Sequence, residues 1–122
     1  MDGKTKQVTR TKLSGPGVYM IRCKANGKVY VGSTVRNVRN RLSTHLGALR
    51  YGRHICRRLQ ADFTQYGESQ FECLVIALIP EQDVLQRESY EIANRNATDV
   101  RYGYNFHAKP IPPYRKKHLK KT

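Results

Sequence analysis

The sequence lacks tryptophan, has only three cysteines among its 122 residues, and contains no long apolar segment. No apolar run approaches the roughly 18 residues of a membrane-spanning helix, and the polar, basic residues 1–12 do not resemble a secretory signal. Cys23, Cys56 and Cys73 form no C-x-x-C pair, which argues against structural zinc and against a disulfide framework. The sequence therefore predicts one globular domain in a reducing compartment, with Cys23 and Cys73 in its core.

Acidic residues are nearly absent from the first half of the chain, where Asp2 is the one example. None occurs between Gly3 and Ala61, where there are fourteen Lys and Arg, and eight of the nine acids lie between Asp62 and Asp99. The net charge is +14, and a second basic run closes the chain. This distribution is typical of a protein that binds a polyanion, with nucleic acid favoured over an anionic membrane surface. A basic protein of ribosomal type is the alternative that composition leaves open.

A β-hairpin is the strongest local prediction. The dipeptide Asn26-Gly27 lies between apolar, β-branched runs, and both of its residues tolerate positive φ angles. We predict strands over Val18–Cys23 and Val29–Val31, which would bring Tyr19 and Tyr30 together. Two tyrosines in a hairpin are also common without any functional site. Two Gly/Tyr triplets in mirrored order flank the turn: Gly17-Val18-Tyr19 and Tyr30-Val31-Gly32.

The remaining pattern predicts a mixed α/β domain with element order ββααβα. We expect a small central antiparallel sheet of about three strands, flanked by helices. The nearly continuous apolar run Phe71–Ile79 predicts a buried central strand, and 103–106 a short extended or turn segment. The predicted helices run from the N-cap Asn37 to about Leu49, over about Ile55–Tyr66, and from Val84, after the N-cap Asp83, to about Asn96.

A carboxylate occupies an apolar helix face. At 100° per residue, Glu88 lies inside the stripe formed by Val84, Leu85 and Ile92, whereas Glu91 points well away from it. A carboxylate in a core-facing stripe is costly unless it is paired or binds a cation. We therefore weigh two interpretations of Glu88: a structural ion pair with an arginine, for which the candidates are Arg41 and Arg87, or a metal ligand or catalytic group.

The first predicted helix supplies basic and proton-transferring groups. Arg41 and His45 are four residues apart and share a helix face beside the apolar stripe. Arginine suits phosphate, and histidine exchanges a proton near neutral pH. His54, together with Arg53, Arg57 and Arg58, predicts a phosphate-contacting surface. The candidate set of Tyr19, Tyr30, Arg41, His45, Glu88 and Asn105 suits metal-assisted phosphodiester hydrolysis, although Asn105 alone is equally typical of a turn.

Several short motifs occur in a fixed order between about Gly15 and His107. They are Gly-Val-Tyr at 17–19, Asn-Gly-Lys-Val-Tyr-Val-Gly-Ser at 26–33, Arg41-x-x-x-His45, Leu59-Gln60, Tyr66-Gly67, Phe-Glu-Cys at 71–73, Arg87-Glu88 and Gly-Tyr-Asn at 103–105. This ordered set resembles the GIY-YIG endonuclease superfamily, and most closely the catalytic domain of phage-type homing endonucleases. The resemblance implies the GIY-YIG nuclease fold and metal-dependent cleavage of DNA.

The resemblance also implies a role for each matched residue. Tyr19 matches the tyrosine that helps to activate the attacking water, and Tyr30 its partner beside the scissile phosphate. In the predicted hairpin either tyrosine is near enough to be the base. Arg41 matches the arginine that stabilises transition-state charge. His45 matches a histidine that assists the tyrosine or orients water.

Metal and DNA binding are implied in the same way. Glu88 matches the single ligand of a divalent metal, usually Mg²⁺, with Mn²⁺ as a substitute. Asn105 matches an asparagine that lies near the phosphate or supports the site. His54 matches a histidine that is important in the homing branch. The expected DNA-binding residues are Lys28, Gly32, Arg53, His54, Arg57 and Arg58.

The expected organisation is a basic disordered arm (1–12), a nuclease domain (13–108) and a basic Pro/Lys-rich tail (109–122). The expected partner is double-stranded DNA. Homing enzymes carry a separate recognition region, so the resemblance leaves three alternatives open: an isolated catalytic fragment, a nuclease with weak intrinsic specificity, or one that takes its specificity from a separate recognition domain or protein. The expected location is cytoplasmic or nucleoid-associated, in a phage or bacterium. The alternatives are a repair- or restriction-type nuclease of this fold and a non-catalytic DNA-binding module.

Overall fold

A computed structural model describes residues 14–106. Within this range it contains an antiparallel sheet of three strands and three α-helices, which confirms the mixed α/β class and the predicted element order. The elements are β1 (Gly17–Cys23), β2 (Val29–Thr34), α1 (Val38–Arg50), α2 (Arg57–Tyr66), β3 (Phe71–Leu78) and α3 (Val84–Asn94), with short 3-10 turns at Glu68–Gln70 and Glu81–Asp83. The predicted arm and tail, and His107 and His118, lie outside the described residues.

The predicted hairpin is present. Gly27 has a φ angle of 78°, and its N–H donates to the carbonyl of Cys23 at 2.7 Å. The register places Tyr19 opposite Gly32 and Ile21 opposite Tyr30, so both tyrosines lie on the same face of the sheet. Strand β2 runs three residues beyond the predicted end at Val31. The extension adds Gly32, the last residue of the second triplet, and Ser33 to the sheet.

The central position in the sheet belongs to β1, not to β3. The strand order is β2-β1-β3, so the prediction of β3 as a buried central strand is wrong. Leu74 and Leu78 are 37% and 38% exposed, and Cys73, predicted to be a core residue, is exposed. An apolar run indicates a strand, but it does not distinguish a covered edge from the centre, because that depends on which neighbours pair with it.

The sheet is covered on both faces. Alternate side chains of β1 and β2 point to opposite sides, so one strand contributes to two cores. One core joins the sheet to α1 and α2 and consists of Ile21, Cys23, Leu49, Cys56, Leu59, Phe63 and Tyr104. The other joins the sheet to α3 and consists of Val18, Val29, Val31, Ile92 and Ala97. No helix among residues 14–106 is long and apolar enough to cross a membrane.

The helix ends follow the capping residues only in part. Asn37 caps α1 as predicted, since its Oδ1 accepts a hydrogen bond from the N–H of Asn40 at 3.0 Å. Helix α2 begins two residues later than predicted, because Cys56 is its N-cap and Ile55 is 78% exposed. Asp83 occupies the N-cap of α3, but its side chain makes no capping hydrogen bond there. Helix α3 ends at Asn94, two residues earlier than predicted.

The segment before residue 106 covers the outer edge of β2. The N–H of Val29 donates to the carbonyl of Tyr102 at 3.2 Å, and the N–H of Tyr104 donates to the carbonyl of Val29 at 2.8 Å. The Tyr104 ring is buried, and its hydroxyl donates to Asp62 of α2 at 2.7 Å. This confirms the predicted short extended segment and satisfies backbone groups that an edge strand otherwise leaves unpaired.

The two N-caps give a direct stability test. Asn37→Ala removes a cap hydrogen bond and is expected to lower the free energy of unfolding by about 1 kcal/mol, as measured by urea denaturation. Asp83→Ala is the matched control, with a smaller expected loss because its side chain makes no such bond. A larger loss for Asp83→Ala than for Asn37→Ala would contradict this assignment.

Candidate active site

A pocket of about 290 Å³ opens beside the second half of β2, just beyond the segment that covers the strand edge. It brings together five of the six predicted catalytic residues; the sixth, His45, lies behind Tyr19. A larger groove of about 490 Å³ between α1 and β3 contains none of them. The residues that line the smaller pocket are Tyr19, Tyr30, Val31, Gly32, Ser33, Arg41, Glu88, Asn105 and Phe106.

The Tyr19 side chain lies directly across the backbone of Gly32. These residues are cross-strand partners, and a Cβ atom at Gly32 would overlap the Tyr19 hydroxyl oxygen and two ring carbons. Tyr19 is only 1% exposed, so its ring has no other space to occupy. The glycine of the second triplet is therefore required by the tyrosine of the first, and Gly32 has a packing role independent of any DNA contact.

A chain of hydrogen bonds runs from Tyr19 into the core. The Tyr19 hydroxyl lies 2.7 Å from His45 Nε2, and His45 Nδ1 lies 2.7 Å from His54 Nε2. His54 Nδ1 in turn accepts from the N–H of Cys56 at 2.9 Å. The two imidazoles stack with centroids 4.9 Å apart, and the Tyr30 ring contacts both of them edge-on. The site therefore has an organised layer of side chains behind the pocket wall.

His54 does not lie on the predicted phosphate-contacting surface. It is 4% exposed, whereas Arg53 and Arg57 are exposed, so the placement of His54 on that surface is wrong. The physical reason is that its ring satisfies both nitrogens inside the protein, with His45 on one side and the Cys56 backbone on the other.

Burial sets the protonation of these rings. Loss of solvent, with smaller contributions from His54 and Arg41, lowers the pKa of His45 from 6.5 to about 3. Burial, followed by the charge of Arg41, also lowers the pKa of His54. Burial raises the pKa of Tyr19, and the hydrogen bond and charge of Arg41 partly offset this rise. At neutral pH both imidazoles are therefore neutral, and Arg41 is the group that favours a Tyr19 phenolate.

Glu88 reaches the same pocket from the opposite face of the sheet. It is 3% exposed on α3, and Ser33 Oγ donates to its Oε1 at 2.9 Å. Arg87, one of the two proposed ion-pair partners, instead binds Glu91 at 2.7 Å. Glu91 was expected to point away from the apolar stripe, yet it is 4% exposed. Its burial is tolerated because Arg87 and Arg95 both pair with the carboxylate.

The donor set fits a hard cation held by one protein carboxylate. No group of three or more His, Cys, Asp or Glu side chains within 14–106 is arranged to hold a metal ion. Mg²⁺ keeps several waters and commonly binds through one or two carboxylates plus substrate phosphates, so it needs no larger cluster. Glu88, oriented by Ser33 at the pocket wall, meets that requirement.

Asn105 holds β2 in place. Its Oδ1 accepts from the N–H of Val31 and its Nδ2 donates to the carbonyl of Val31, each at 2.9 Å. Of the two roles implied for Asn105, this geometry matches support of the site. Arg58, predicted to bind DNA, donates to the carbonyls of Gly103, Tyr104 and Asn105 and so holds the segment that carries the asparagine.

With this geometry in view, the relatives of the chain are informative. Residues 15–105 match the family model of the GIY-YIG catalytic domain. The chain belongs to the GIY-YIG family. It is also 36% identical over 83 residues to Intron-associated endonuclease 1 of Enterobacteria phage T4. That match covers 66% of this chain but 33% of the phage protein, so the chain spans about a third of the length of this relative.

Solved structures of GIY-YIG domains show the same fold. The catalytic domain of the homing endonuclease I-TevI superposes with a TM-score of 0.67 at 32% identity, covering 75% of this chain and 98% of that one. A mutant of the catalytic domain of intron endonuclease I-TevI gives 0.68 at 31% identity, covering 77% and 95%. These matches confirm the GIY-YIG fold that the motifs predicted.

Three residues of the pocket wall were not predicted as site residues: Val31, Ser33 and Phe106. Ser33 could have been found from strand alternation, which places it opposite Val18 on the face towards α3. Phe106 is 64% exposed at the pocket, and no sequence pattern identified it beyond its position after Asn105. The remaining predicted binding residues lie outside the pocket wall: Lys28 is half-buried after the hairpin turn, and Arg53 contacts the Tyr51 ring.

Substitution of Gly32 tests the close approach of Tyr19. Gly32→Ala is expected to lower the free energy of unfolding by about 1–3 kcal/mol, because the added methyl group would overlap the buried ring. Gly47→Ala in α1 is the control, since its Cβ meets no atom within 4 Å, and it should be neutral or stabilising. Equal stability of Gly32→Ala and wild type in urea denaturation would refute this packing.

Acid should destabilise the domain through His45. Its pKa is 6.5 when unfolded and about 3 when folded, so between these values the unfolded chain binds more protons and stability falls as pH falls. His45 alone changes the free energy of unfolding by up to about 1.4 kcal/mol per pH unit in this range. Urea unfolding at several pH values should show that the free energy of unfolding depends less steeply on pH in His45→Gln than in wild type. Identical slopes would exclude a buried neutral His45.

Proposed function

We propose that this GIY-YIG domain is a Mg²⁺-dependent endonuclease that hydrolyses phosphodiester bonds of double-stranded DNA. The observation that carries the proposal is the convergence of Tyr19, Arg41 and Glu88 on one pocket from β1, α1 and α3. Three separate elements thus supply a proton acceptor, a cation and a carboxylate. The name of the phage relative, an intron-associated endonuclease, supports the same chemistry.

Arg41 supplies fixed positive charge to the pocket. It lies on α1 and lines the pocket, and the planar guanidinium group matches the geometry of phosphate oxygens. A phosphodiester gains negative charge on its equatorial oxygens as water attacks, and a positioned arginine stabilises that charge more in the transition state than in the substrate. In this mechanism Arg41 binds the scissile phosphate and stabilises the developing charge.

Tyr19 is the proton acceptor. Water attacks phosphorus, its proton passes to the Tyr19 phenolate oxygen, and the leaving sugar oxygen takes a proton from solvent. Burial raises the pKa of Tyr19 and opposes the phenolate, whereas Arg41 lowers it. The phenolate therefore depends on positive charge in the pocket. Tyr30, which lines the wall and packs on both histidines, positions the phosphate.

Glu88 would hold the metal ion. Ser33 orients the carboxylate, and the remaining positions fall to water and phosphate oxygens, as Mg²⁺ prefers. When bound, the ion would supply further positive charge that stabilises the transition state. Asn105 maintains the site by fixing Val31, which directly precedes Gly32 and Ser33 on β2.

Exposed arginines would bind the DNA backbone without reading sequence. Five arginines of the described range pair with acids: Arg22, Arg50, Arg87, Arg95 and Arg101. Outside the pocket, four exposed arginines within residues 14–106 form no ion pair: Arg36, Arg39, Arg53 and Arg57. Such groups bind phosphate through charge, so affinity should fall steeply with added salt. Target choice is assigned to a separate recognition domain or protein partner.

Glu88→Gln tests the proposal with little change in shape. Supercoiled plasmid and Mg²⁺ should be nicked or linearised by wild type, and the variant should cleave about 100-fold more slowly or not at all. EDTA should abolish wild-type cleavage. Gel shifts should show similar DNA affinity for both proteins, because the exposed arginines are unchanged.

Glu91→Gln is the matched control. Glu91 is an equally buried carboxylate on the same helix, but it pairs with arginines away from the pocket. This variant should lose stability and keep cleavage when folded. Cleavage by Glu88→Gln at the wild-type rate would exclude Glu88 as the metal ligand. Plasmid binding without cleavage by wild type would favour a non-catalytic DNA-binding module.

A further inference from the structure

The direction of the hydrogen bonds behind Tyr19 is fixed by a backbone group. The N–H of Cys56 donates to His54 Nδ1 at 2.9 Å, and an amide N–H cannot reverse its role. His54 Nδ1 therefore carries no proton. Because neutral imidazole has one protonated nitrogen, the proton of His54 resides on Nε2.

The same reasoning passes from His54 to His45. His54 Nε2 and His45 Nδ1 lie 2.7 Å apart, a distance that holds one proton between them. That proton belongs to His54, so His45 Nδ1 is an acceptor and the proton of His45 resides on Nε2. His45 Nε2 lies 2.7 Å from the Tyr19 hydroxyl oxygen and therefore donates to it.

We propose that His54 is a positioning residue that fixes His45 as a neutral hydrogen-bond donor to the Tyr19 oxygen. The proposal rests on the function proposed above, and it concerns a residue that does not line the pocket. Protonation of His45 on Nδ1 would bring two N–H groups face to face, since the Cys56 amide prevents His54 from turning its proton away. His54 thus excludes both the other tautomer and the charged form of His45.

This direction of bonding determines where protons move. His45 does not accept the proton of Tyr19, because the nitrogen that faces the hydroxyl already carries one. The hydrogen of the Tyr19 hydroxyl is turned away from His45 and leaves to solvent through the pocket, which Tyr19 lines. The resulting phenolate keeps the hydrogen bond from His45 and accepts the proton of the attacking water.

Nuclear magnetic resonance of the ¹⁵N-labelled protein tests the tautomers directly. Long-range ¹H–¹⁵N correlations at neutral pH distinguish Nδ1–H, Nε2–H and doubly protonated rings. The chain has four histidines, and the signals lost in His45→Gln and His54→Gln assign these two. We expect Nε2–H for both rings. An Nδ1–H or doubly protonated His45 in wild type would overturn the proposal, whether or not the protein cleaves DNA.

Two substitutions of His54 test its effect on the reaction. His54→Phe keeps an aromatic ring but removes both the donor to His45 and the acceptor of the Cys56 N–H. Part of His45 should then convert to the Nδ1–H form, and kcat for plasmid nicking should fall about 10- to 100-fold, with KM unchanged. His54→Gln can still donate to His45 and accept from Cys56, and it should recover part of the rate. A folded His54→Phe with the wild-type rate would overturn the positioning role.

The readouts separate the two proposals. If wild type does not cleave, the proposed function fails, and the histidine spectrum still decides the tautomer. If His54→Phe does not fold, the wild-type spectrum and the rate of His54→Gln decide: Nε2–H rings with a retained rate support the proposal, and a different tautomer overturns it.

Discussion

The buried hydroxyl of Tyr19 is the group on which the site depends. A polar group with this little exposure must be hydrogen-bonded in the folded protein, and His45 meets that need from α1. His45 then needs a partner of its own, and His54 supplies it, with the Cys56 backbone completing the chain. The tyrosine also needs room, which only a residue without Cβ at position 32 leaves. The contacts of one hydroxyl group thus constrain how β2, α1 and the residues before α2 pack together.

The edge of β2 is where the two faces of the sheet contribute to one pocket. Tyr19 and Arg41 come from the side of α1, whereas Glu88 comes from α3 and meets Ser33 there. If β2 were a central strand, a further strand would continue the sheet beyond it and would separate the groups on the two faces. The edge is kept from pairing with other strands by the segment that ends at Asn105, whose side-chain amide bonds both the N–H and the carbonyl of Val31.

The acids of the second half have a structural use that the charge pattern alone did not reveal. Most of them pair with arginines or support buried groups, as Asp62 does by accepting from Tyr104 and Asn26. These acidic residues, although confined to one part of the sequence, contact arginines from several elements of the fold. Five arginines pair with acids, and the exposed arginines without an ion pair, which occur between Arg36 and Arg57, leave a surface suited to phosphates.

The sequence by itself determined the order of the elements, the hairpin and five catalytic candidates that line the pocket. Local signals sufficed there: Asn26-Gly27 for the turn, Asn37 for a cap, and apolar spacing for the helices. Only the tertiary structure decided that β3 is an edge strand, that Glu91 is buried and paired, and that His54 stands behind the site. The physical reason is that strand order and burial depend on how elements far apart in sequence pack together, which periodicity cannot specify.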